Sequence, residues 1–280
     1  MERPSPIRIA SKENRLYRRL LAVRSGRPEE GDGDRLLVEG YRLCADALAS
    51  GMRADLLVLS EDVGTDPRSA TLADALPDGA GTVLLSDPLF RRLCRTEEPQ
   101  GFLLLLPGPG LRTLPPAADP QGRYLVLEDV RDPGNVGSMV RTADAAGLSA
   151  VVCTPGCADP FGDKALRASM GSAFHLPVVR AEFPETCAWL RAAGLIVVAA
   201  DLDGEDALDG SVPGRGAVLV GNEAEGLSGR ALAESDRRVR IPMPGRAESL
   251  NAAAAAAVLV YEMLRASRKA PDAGERPAVR

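Results

Sequence analysis

The stretch that most constrains this chain is IPMPGRAESLNAAAAAAVLVYEML, residues 241 to 264, in which a loop with two prolines leads into six consecutive alanines. Alanine has the highest helix propensity, and Ser249 and Asn251 stand just before the run, where such side chains accept hydrogen bonds from first-turn amides. The stretch therefore predicts a strand ending at Ile241 and a long helix opened by Ser249 and Asn251. Because the first half of that helix has no polar residue, we expect it to be buried on most of its sides.

The composition is that of an ordinary globular protein, with 280 residues, 45% of them hydrophobic, and a net charge of −5. We find no uncharged apolar run of about 18 residues and no secretory signal pattern, so we expect a cytoplasmic protein that does not enter membranes. The five cysteines are scattered, and neither they nor the single histidine are spaced as metal ligands. We therefore expect reduced thiols and no metal.

Short apolar runs alternate with helical patterns, which predicts two α/β domains. The first covers residues 1–106, a linker rich in proline and glycine covers 107–122, the second covers 123–268, and 269–280 is expected to be a disordered tail. The strands of the second domain are apolar throughout, which is typical of a parallel sheet covered by helices on both faces. They are predicted at residues 125–130, 150–153, 176–179, 195–200, 217–220 and 239–241, with helices at 136–146, 164–173, 184–193 and 227–234.

A basic segment begins the chain, because residues 2 to 27 carry eight arginines or lysines and two glutamates. Such a segment is typical of a surface that binds a phosphate backbone, and equally of a solvated amphipathic helix. The sequence leaves both interpretations open, and in either case we expect a helix.

Polar side chains of types that often take part in catalysis or ligand binding follow two of the predicted strands. In LEDVRDPGNVGSMVRTADAAG, residues 127–147, Asn135 is expected to cap a helix that carries Arg141 two turns later. In LVGNEAEGLS, residues 219–228, Asn222 and Glu223 come directly after a strand.

Glycine allows a ligand to approach the backbone closely, and Gly221 lies at the second of these turns. Together with the loop before the alanine run, three strand-end loops are rich in polar residues. Each alone fits an ordinary turn, but open α/β sheets bind their ligands at the carboxyl ends of strands, so three such loops indicate a site.

Other kinds of functional site are disfavoured because the sequence lacks residues that they require. No glycine-rich loop ends in Gly-Lys-Ser or Gly-Lys-Thr, which argues against an NTPase phosphate loop. The segment Gly214–Gly216 lacks the third glycine of a dinucleotide fingerprint, so a nicotinamide oxidoreductase is weakly supported. His175 lies between Phe174 and Leu176, where a structural role fits best.

Three blocks of sequence, residues 127–147, 219–228 and 241–264, resemble the three motifs of the SpoU (TrmH) family of RNA ribose 2′-O-methyltransferases, within the SPOUT superfamily. They agree with those motifs in content, order and spacing. The resemblance covers residues 124–265. The segment RLLVEGYRL, residues 35–43, more loosely resembles the L30e-like substrate-binding domain of many members. For the fold, the resemblance implies an L30e-like N-terminal α/β domain and a C-terminal SPOUT domain whose parallel sheet contains a deep trefoil knot, and it implies a homodimer formed through the C-terminal domain.

The resemblance also implies that S-adenosyl-L-methionine is the cofactor. The residues that would bind it are Ala200, Gly221, Asn222, Ile241 and Leu250. The residues that would carry the reaction are Arg141, Asn135, Glu223, Ser249 and Asn251. Family resemblance assigns Arg141 to the reacting hydroxyl, but a guanidinium is effectively always protonated, which leaves open whether Arg141 is the base or an orienting group.

The function that this resemblance implies is methylation of a ribose 2′-hydroxyl in RNA, with 23S rRNA as the favoured target. The alternatives are a tRNA 2′-O-methyltransferase and a non-catalytic RNA-binding ribosome-assembly factor of the same fold. The presence of both Asn135 and Arg141 favours an enzyme over the assembly factor. Whether the role is housekeeping or antibiotic resistance stays open.

Overall fold

The computed structural model describes residues 6–27, 35–108 and 113–269. The chain divides into two compact units, residues 1–110 and 111–280. The expected disordered tail lies outside the described residues except for Lys269, as does part of the expected linker. In the described part of the chain, no helix has both the length and the apolar character needed to cross a bilayer.

The first unit contains a sheet of mixed direction with helices between its strands. Its strands are β1 (Ile7–Ile9), β2 (Arg35–Glu39), β3 (Leu56–Ser60), β4 (Gly81–Leu85) and β5 (Phe102–Pro107). Its helices are α1 (Arg15–Arg24), α2 (Tyr41–Ala49), α3 (Pro67–Ala75) and α4 (Asp87–Leu93). The strand order is β1-β4-β3-β5-β2, with β5 antiparallel to both neighbours.

The basic segment at the start of the chain is only partly helical. Residues 7–9 form β1, which pairs with β4, and helix α1 begins after Asn14. The Asn14 side chain accepts hydrogen bonds from the amides of Leu16 and Tyr17, so it caps the helix. The expectation of a helix holds for α1 and is wrong for β1.

The second unit contains a parallel sheet. Its strands are β6 (Arg123–Leu127), β7 (Ala150–Cys153), β8 (Val178–Arg180), β9 (Val197–Asp206), β10 (Gly216–Val220) and β11 (Arg237–Arg240). Its helices are α5 (Pro133–Ala145), α6 (Asp163–Ser169), α7 (Ser172–His175), α8 (Phe183–Ala192), α9 (Gly229–Glu234) and α10 (Ala252–Lys269). The order is β11-β9-β10-β6-β7-β8, and every neighbouring pair is parallel. The predicted α/β class with a parallel sheet is confirmed.

The register of this sheet brings the strand-end loops together. Strands β6 and β10 are neighbours, and Leu127 pairs with Val220, so the two strands end side by side. The loops that follow them therefore start at the same edge of the sheet. Strand β9 lies on the other side of β10, which adds the segment after Ala199 to that edge.

Helix α10 begins where the sequence predicted, but only one side of it is buried. Asn251 caps it, because the side-chain oxygen accepts hydrogen bonds from the amides of Ala253 and Ala254 at 2.9 and 3.3 Å. The buried stripe consists of Ala256, Leu259, Val260 and Met263. Tyr261 is half exposed and Ala254 is exposed, so the expected burial on most sides is wrong for a single chain.

Candidate active site

A cavity of about 510 Å³ opens at the carboxyl edge of the parallel sheet. Its walls come from the end of β9, the loop between β10 and α9, and the segment that runs from β11 into α10. All five residues predicted to bind a cofactor line it, namely Ala200, Gly221, Asn222, Ile241 and Leu250. The three distant segments thus form one concave site, of the size that small-molecule ligands occupy in proteins.

Beside this cavity, three predicted catalytic residues form a hydrogen-bonded cluster. The Asn135 side-chain amide donates to Glu223 Oε1 at 2.8 Å, and Asn251 donates to Asn135 Oδ1 at 3.1 Å. Glu223 and Ser249 line the cavity itself. Asn135 of α5 therefore links the loop after β10 to the start of α10 through its side-chain hydrogen bonds.

Asn135 does not cap α5, as the sequence had predicted. The cap is Asp132, whose Oδ1 accepts from the amides of Gly134 and Asn135 at 2.6 and 3.0 Å. Pro133 occupies the first helical position, where its missing N–H costs nothing and its fixed φ suits the helix. Because Asp132 satisfies the first-turn amides, the Asn135 side chain is free to contact Glu223.

Arg141 lies outside the cluster. It follows Asn135 by six residues on α5, a rotation of about 240° and a rise of about 9 Å, so the two side chains leave different faces of the helix. Its side chain is exposed. The structure thus brings four of the five predicted catalytic residues to the cavity or the cluster within one chain, and Arg141 is the exception.

Asn222 holds the loop that forms one wall of the cavity. Its Oδ1 accepts from the amides of Ala224 and Glu225 at 2.8 and 3.1 Å, and its Nδ2 donates to the Asp129 carbonyl at 2.9 Å. A Cβ on Gly221 would lie 2.4 Å from the backbone of Gly226, so only glycine fits there. Asn222 therefore shapes the wall by bonding to the backbone.

The loop after β6 and the start of α9 are tied together by a carboxylate that sequence reasoning missed. Glu128 accepts from both the backbone N–H and the hydroxyl of Ser228 at 2.8 Å. Ser228 in turn caps α9 by accepting from the Ala231 amide. No local pattern could have revealed this contact, because the two residues are 100 positions apart.

The site is rich in carboxylates whose ionised form is favoured. Burial raises the pKa of Glu223, but the hydrogen bonds from Asn135 and from backbone N–H groups outweigh it and leave the pKa below its ordinary value. The hydrogen bond from Lys164, followed by those from the α5 amides, lowers the pKa of Asp132. Asp201 and Asp203 also line the cavity. Such a lining suits a ligand that carries positive charge.

Metal ligands are not grouped here, since in the described residues no three or more of His, Cys, Asp and Glu are arranged to hold an ion. The carboxylates of the site are instead engaged by amide, hydroxyl, arginine and lysine donors.

Both units match known families. Residues 122–261 match the model of the SpoU rRNA Methylase family, and residues 17–104 match that of the MRM3-like substrate binding domain. The first match contains the cavity and the cluster around Asn135.

Relatives and solved structures cover most of the chain. The 23S rRNA (guanosine(2553)-2′-O)-methyltransferase RlmP of Bacillus subtilis is 37% identical over 81% of this chain and 87% of its own length. The AdoMet-bound rRNA methyltransferase from Sinorhizobium meliloti has a TM-score of 0.78 at 31% identity, over 92% of this chain and 97% of its own. The SpoU methyltransferase AviRb from Streptomyces viridochromogenes, in complex with AdoMet, has a TM-score of 0.80 at 28% identity, over 92% and 99%.

Proposed function

The chain belongs to the SpoU rRNA methylase family, and on that premise we propose that it transfers a methyl group from S-adenosyl-L-methionine to a ribose 2′-hydroxyl of 23S rRNA. The observation that carries the proposal is the convergence of Asn135, Glu223 and Asn251 beside a cavity lined by the predicted cofactor residues. The favoured RNA follows from the relative in Bacillus subtilis, whose name specifies 23S rRNA and the 2′-oxygen. We also propose a cytoplasmic location, because that relative is named for a bacterial rRNA substrate.

The cavity fits S-adenosyl-L-methionine in size and charge. This cofactor carries a sulfonium, an ammonium and one carboxylate, so its net charge is positive. The cavity is lined by four acidic residues and one basic residue, namely Asp201, Asp203, Glu223, Glu225 and Arg240. The backbone of Gly226 approaches Gly221 so closely that any side chain at Gly221 would collide with it, so this part of the cavity wall requires glycine. When bound, the cofactor supplies an activated methyl group.

The protein side of the mechanism is mainly positioning. A ribose hydroxyl is a weak nucleophile and gains most from alignment with the methyl carbon, and alignment of this kind can supply a large part of a rate enhancement. Asn135 holds Glu223 and Asn251 in place, and Ser249 is exposed at the cavity. We assign Arg141 to the reacting hydroxyl or its neighbouring phosphate, as a permanently charged group that orients it.

RNA binding by the first unit is supported by the charge of helix α1. Helix α1 carries four arginines, of which Arg15 and Arg18 are exposed. Exposed arginines on one helix suit the phosphate backbone and give salt-dependent binding. The match to a substrate binding domain over residues 17–104 agrees with this role.

A homodimer formed through the second unit and a trefoil knot in that unit are further parts of the proposal. The dimer is supported by α10, where Tyr261 is 51% exposed and the alanines flank a single buried stripe, so a second copy would cover apolar surface. The knot is supported by family membership. Sedimentation equilibrium tests the dimer, and a single species of monomer mass at micromolar concentration contradicts it.

The RNA target is tested by supplying the protein with methyl-labelled S-adenosyl-L-methionine and total RNA from a strain that lacks it. The proposal expects one labelled nucleotide in 23S rRNA. Label in tRNA alone would contradict the assigned substrate class and leave the reaction type standing.

A further inference from the structure

Two exposed cations lie at the two ends of the turn that precedes helix α5 and is hydrogen-bonded to Glu223 of the catalytic cluster. Arg131 forms a bidentate ion pair with the Asp129 carboxylate, with N–O distances of 2.6 and 3.3 Å. Lys164 of α6 donates a hydrogen bond from Nζ to Asp132 Oδ2 at 2.8 Å. Their side chains are 67% and 59% exposed. The turn between Asp129 and Asp132 is bonded to Glu223 through the backbone N–H groups of residues 131 and 132.

The turn does not depend on these cations for its shape. Asp132 caps α5 through its other oxygen, and Asp129 is held at φ +53° by backbone bonds to Thr154 and Asn222. Exposed ion pairs contribute little to stability and exchange partners readily. Arg131 and Lys164 are therefore available to an incoming anion.

An RNA substrate needs such cations because the neighbouring loops carry negative charge. The two neighbouring loops carry four carboxylates, those of Asp129, Asp132, Glu223 and Glu225. Glu223 and Glu225 also line the cavity. A polyanion that brings its ribose to this cluster meets like charge on that side, and repulsion between like charges disfavours its approach. A ribose in RNA lies between two phosphodiesters, so a cation at each end of the turn matches the charge pattern of the substrate.

We propose that Arg131 and Lys164 leave Asp129 and Asp132 to bind the phosphodiesters on the two sides of the target nucleotide. This inference rests on the proposed function and adds two positioning residues to it. The guanidinium of Arg131 suits a two-pronged contact with phosphate, whereas Lys164 contributes a point charge. Neither residue touches the methyl group, so both act on the binding and placement of RNA.

The test compares Arg131→Gln and Lys164→Gln with Arg230→Gln. Arg230 is the matched control, because it is also 67% exposed in an ion pair but makes that pair with Glu234 within α9. Binding of an unmodified 23S rRNA transcript is measured over a range of salt concentrations. Each of the first two variants is expected to weaken binding about three- to tenfold and to reduce the salt slope by about 0.7 to 1, while Arg230→Gln stays at the wild-type value.

Further measurements separate positioning from a structural role. The affinity for S-adenosyl-L-methionine and the Tm should stay at the wild-type values, KM for RNA should rise more than kcat falls, and Arg131→Lys should restore the salt slope. The inference is overturned if both glutamine variants keep the wild-type slope, or if cofactor affinity and Tm fall together with RNA affinity. A wild-type protein that binds the transcript but transfers no methyl contradicts the proposed function instead, and the salt slopes still decide this inference.

Discussion

The side-chain amide of Asn135 donates a 2.8 Å hydrogen bond to the Glu223 carboxylate, which lies 88 residues further along the chain. The same Asn135 accepts a hydrogen bond from Asn251, so one side chain links the loops after β6 and β10 to the start of α10. Its position inside the first turn of α5 is fixed by the Asp132 cap. The geometry of the whole cluster therefore depends on Asn135.

Replacing Asn135 by alanine should lower kcat about a hundredfold, because small displacements of positioning groups have effects of that order. The rate of methyl transfer at saturating cofactor concentration measures this change in kcat. Asn14→Ala is the control, since Asn14 caps α1 in the other unit and its loss should reduce stability by about 1 kcal/mol without a comparable fall in kcat. Equal effects of the two variants on kcat would remove the cluster from the mechanism.

Gly221→Ala should weaken the binding of S-adenosyl-L-methionine about tenfold or more. The added Cβ would lie 2.4 Å from the Gly226 backbone, so the cavity wall must move away from the position that contacts the cofactor. Overpacking of this kind also lowers the stability of the fold by about 1–3 kcal/mol. Titration calorimetry measures the affinity. Gly229→Ala provides the control, because nothing lies within 4 Å of a Cβ there, and unchanged affinity in both variants would contradict the placement of the cofactor.

Glu223→Gln should destabilise the protein in a pH-dependent manner. Asn135 and the backbone donors lower the pKa of Glu223 against the effect of burial, so the carboxylate contributes stability above its ordinary pKa of about 4.5. That stability is lost as the pH falls through the lowered folded-state pKa. The Tm difference between wild type and variant should be largest near about pH 7 and shrink towards about pH 3. A difference that is constant with pH would show that Glu223 acts by shape alone.

Much of this site could be predicted from local sequence. The cap at Asn251 follows from an asparagine before an alanine run, and the apolar strands predict the parallel sheet, because both signals depend on near neighbours. The cap of α5 was assigned wrongly to Asn135 because Asp132 and Asn135 both have suitable side chains. The proline between them, at position 133, was the signal that favoured Asp132.

Contacts between distant segments could not be predicted from the sequence. The hydrogen bonds from Ser228 to the Glu128 carboxylate and from Asn222 to the Asp129 carbonyl join two loops. The approach of these loops is decided by the strand order β10-β6, which no local pattern specifies. The exposed side of α10 was mispredicted for a similar reason. An apolar helix face looks the same in sequence whether its own chain or a second copy covers it.

Arg141→Ala should lower methyl transfer about a hundredfold or more, because Arg141 is proposed to orient the reacting hydroxyl and loss of alignment has effects of that order. Cofactor affinity should survive, because Arg141 does not line the cavity. Single-turnover transfer and calorimetry measure the two quantities. Wild-type activity in this variant would remove the arginine from the reaction, and lost cofactor binding would make its role structural.

The atom that receives the methyl group tests the proposed function most directly. Purified protein is incubated with labelled S-adenosyl-L-methionine and an unmodified 23S rRNA transcript, and the product is hydrolysed with alkali, which cannot cleave next to a methylated 2′-oxygen. Label recovered in one alkali-stable dinucleotide is the predicted result. Label in a mononucleotide, which would indicate a methylated base, or no incorporation by a folded protein that binds both substrates, would contradict a ribose methyltransferase built around Asn135 and Glu223.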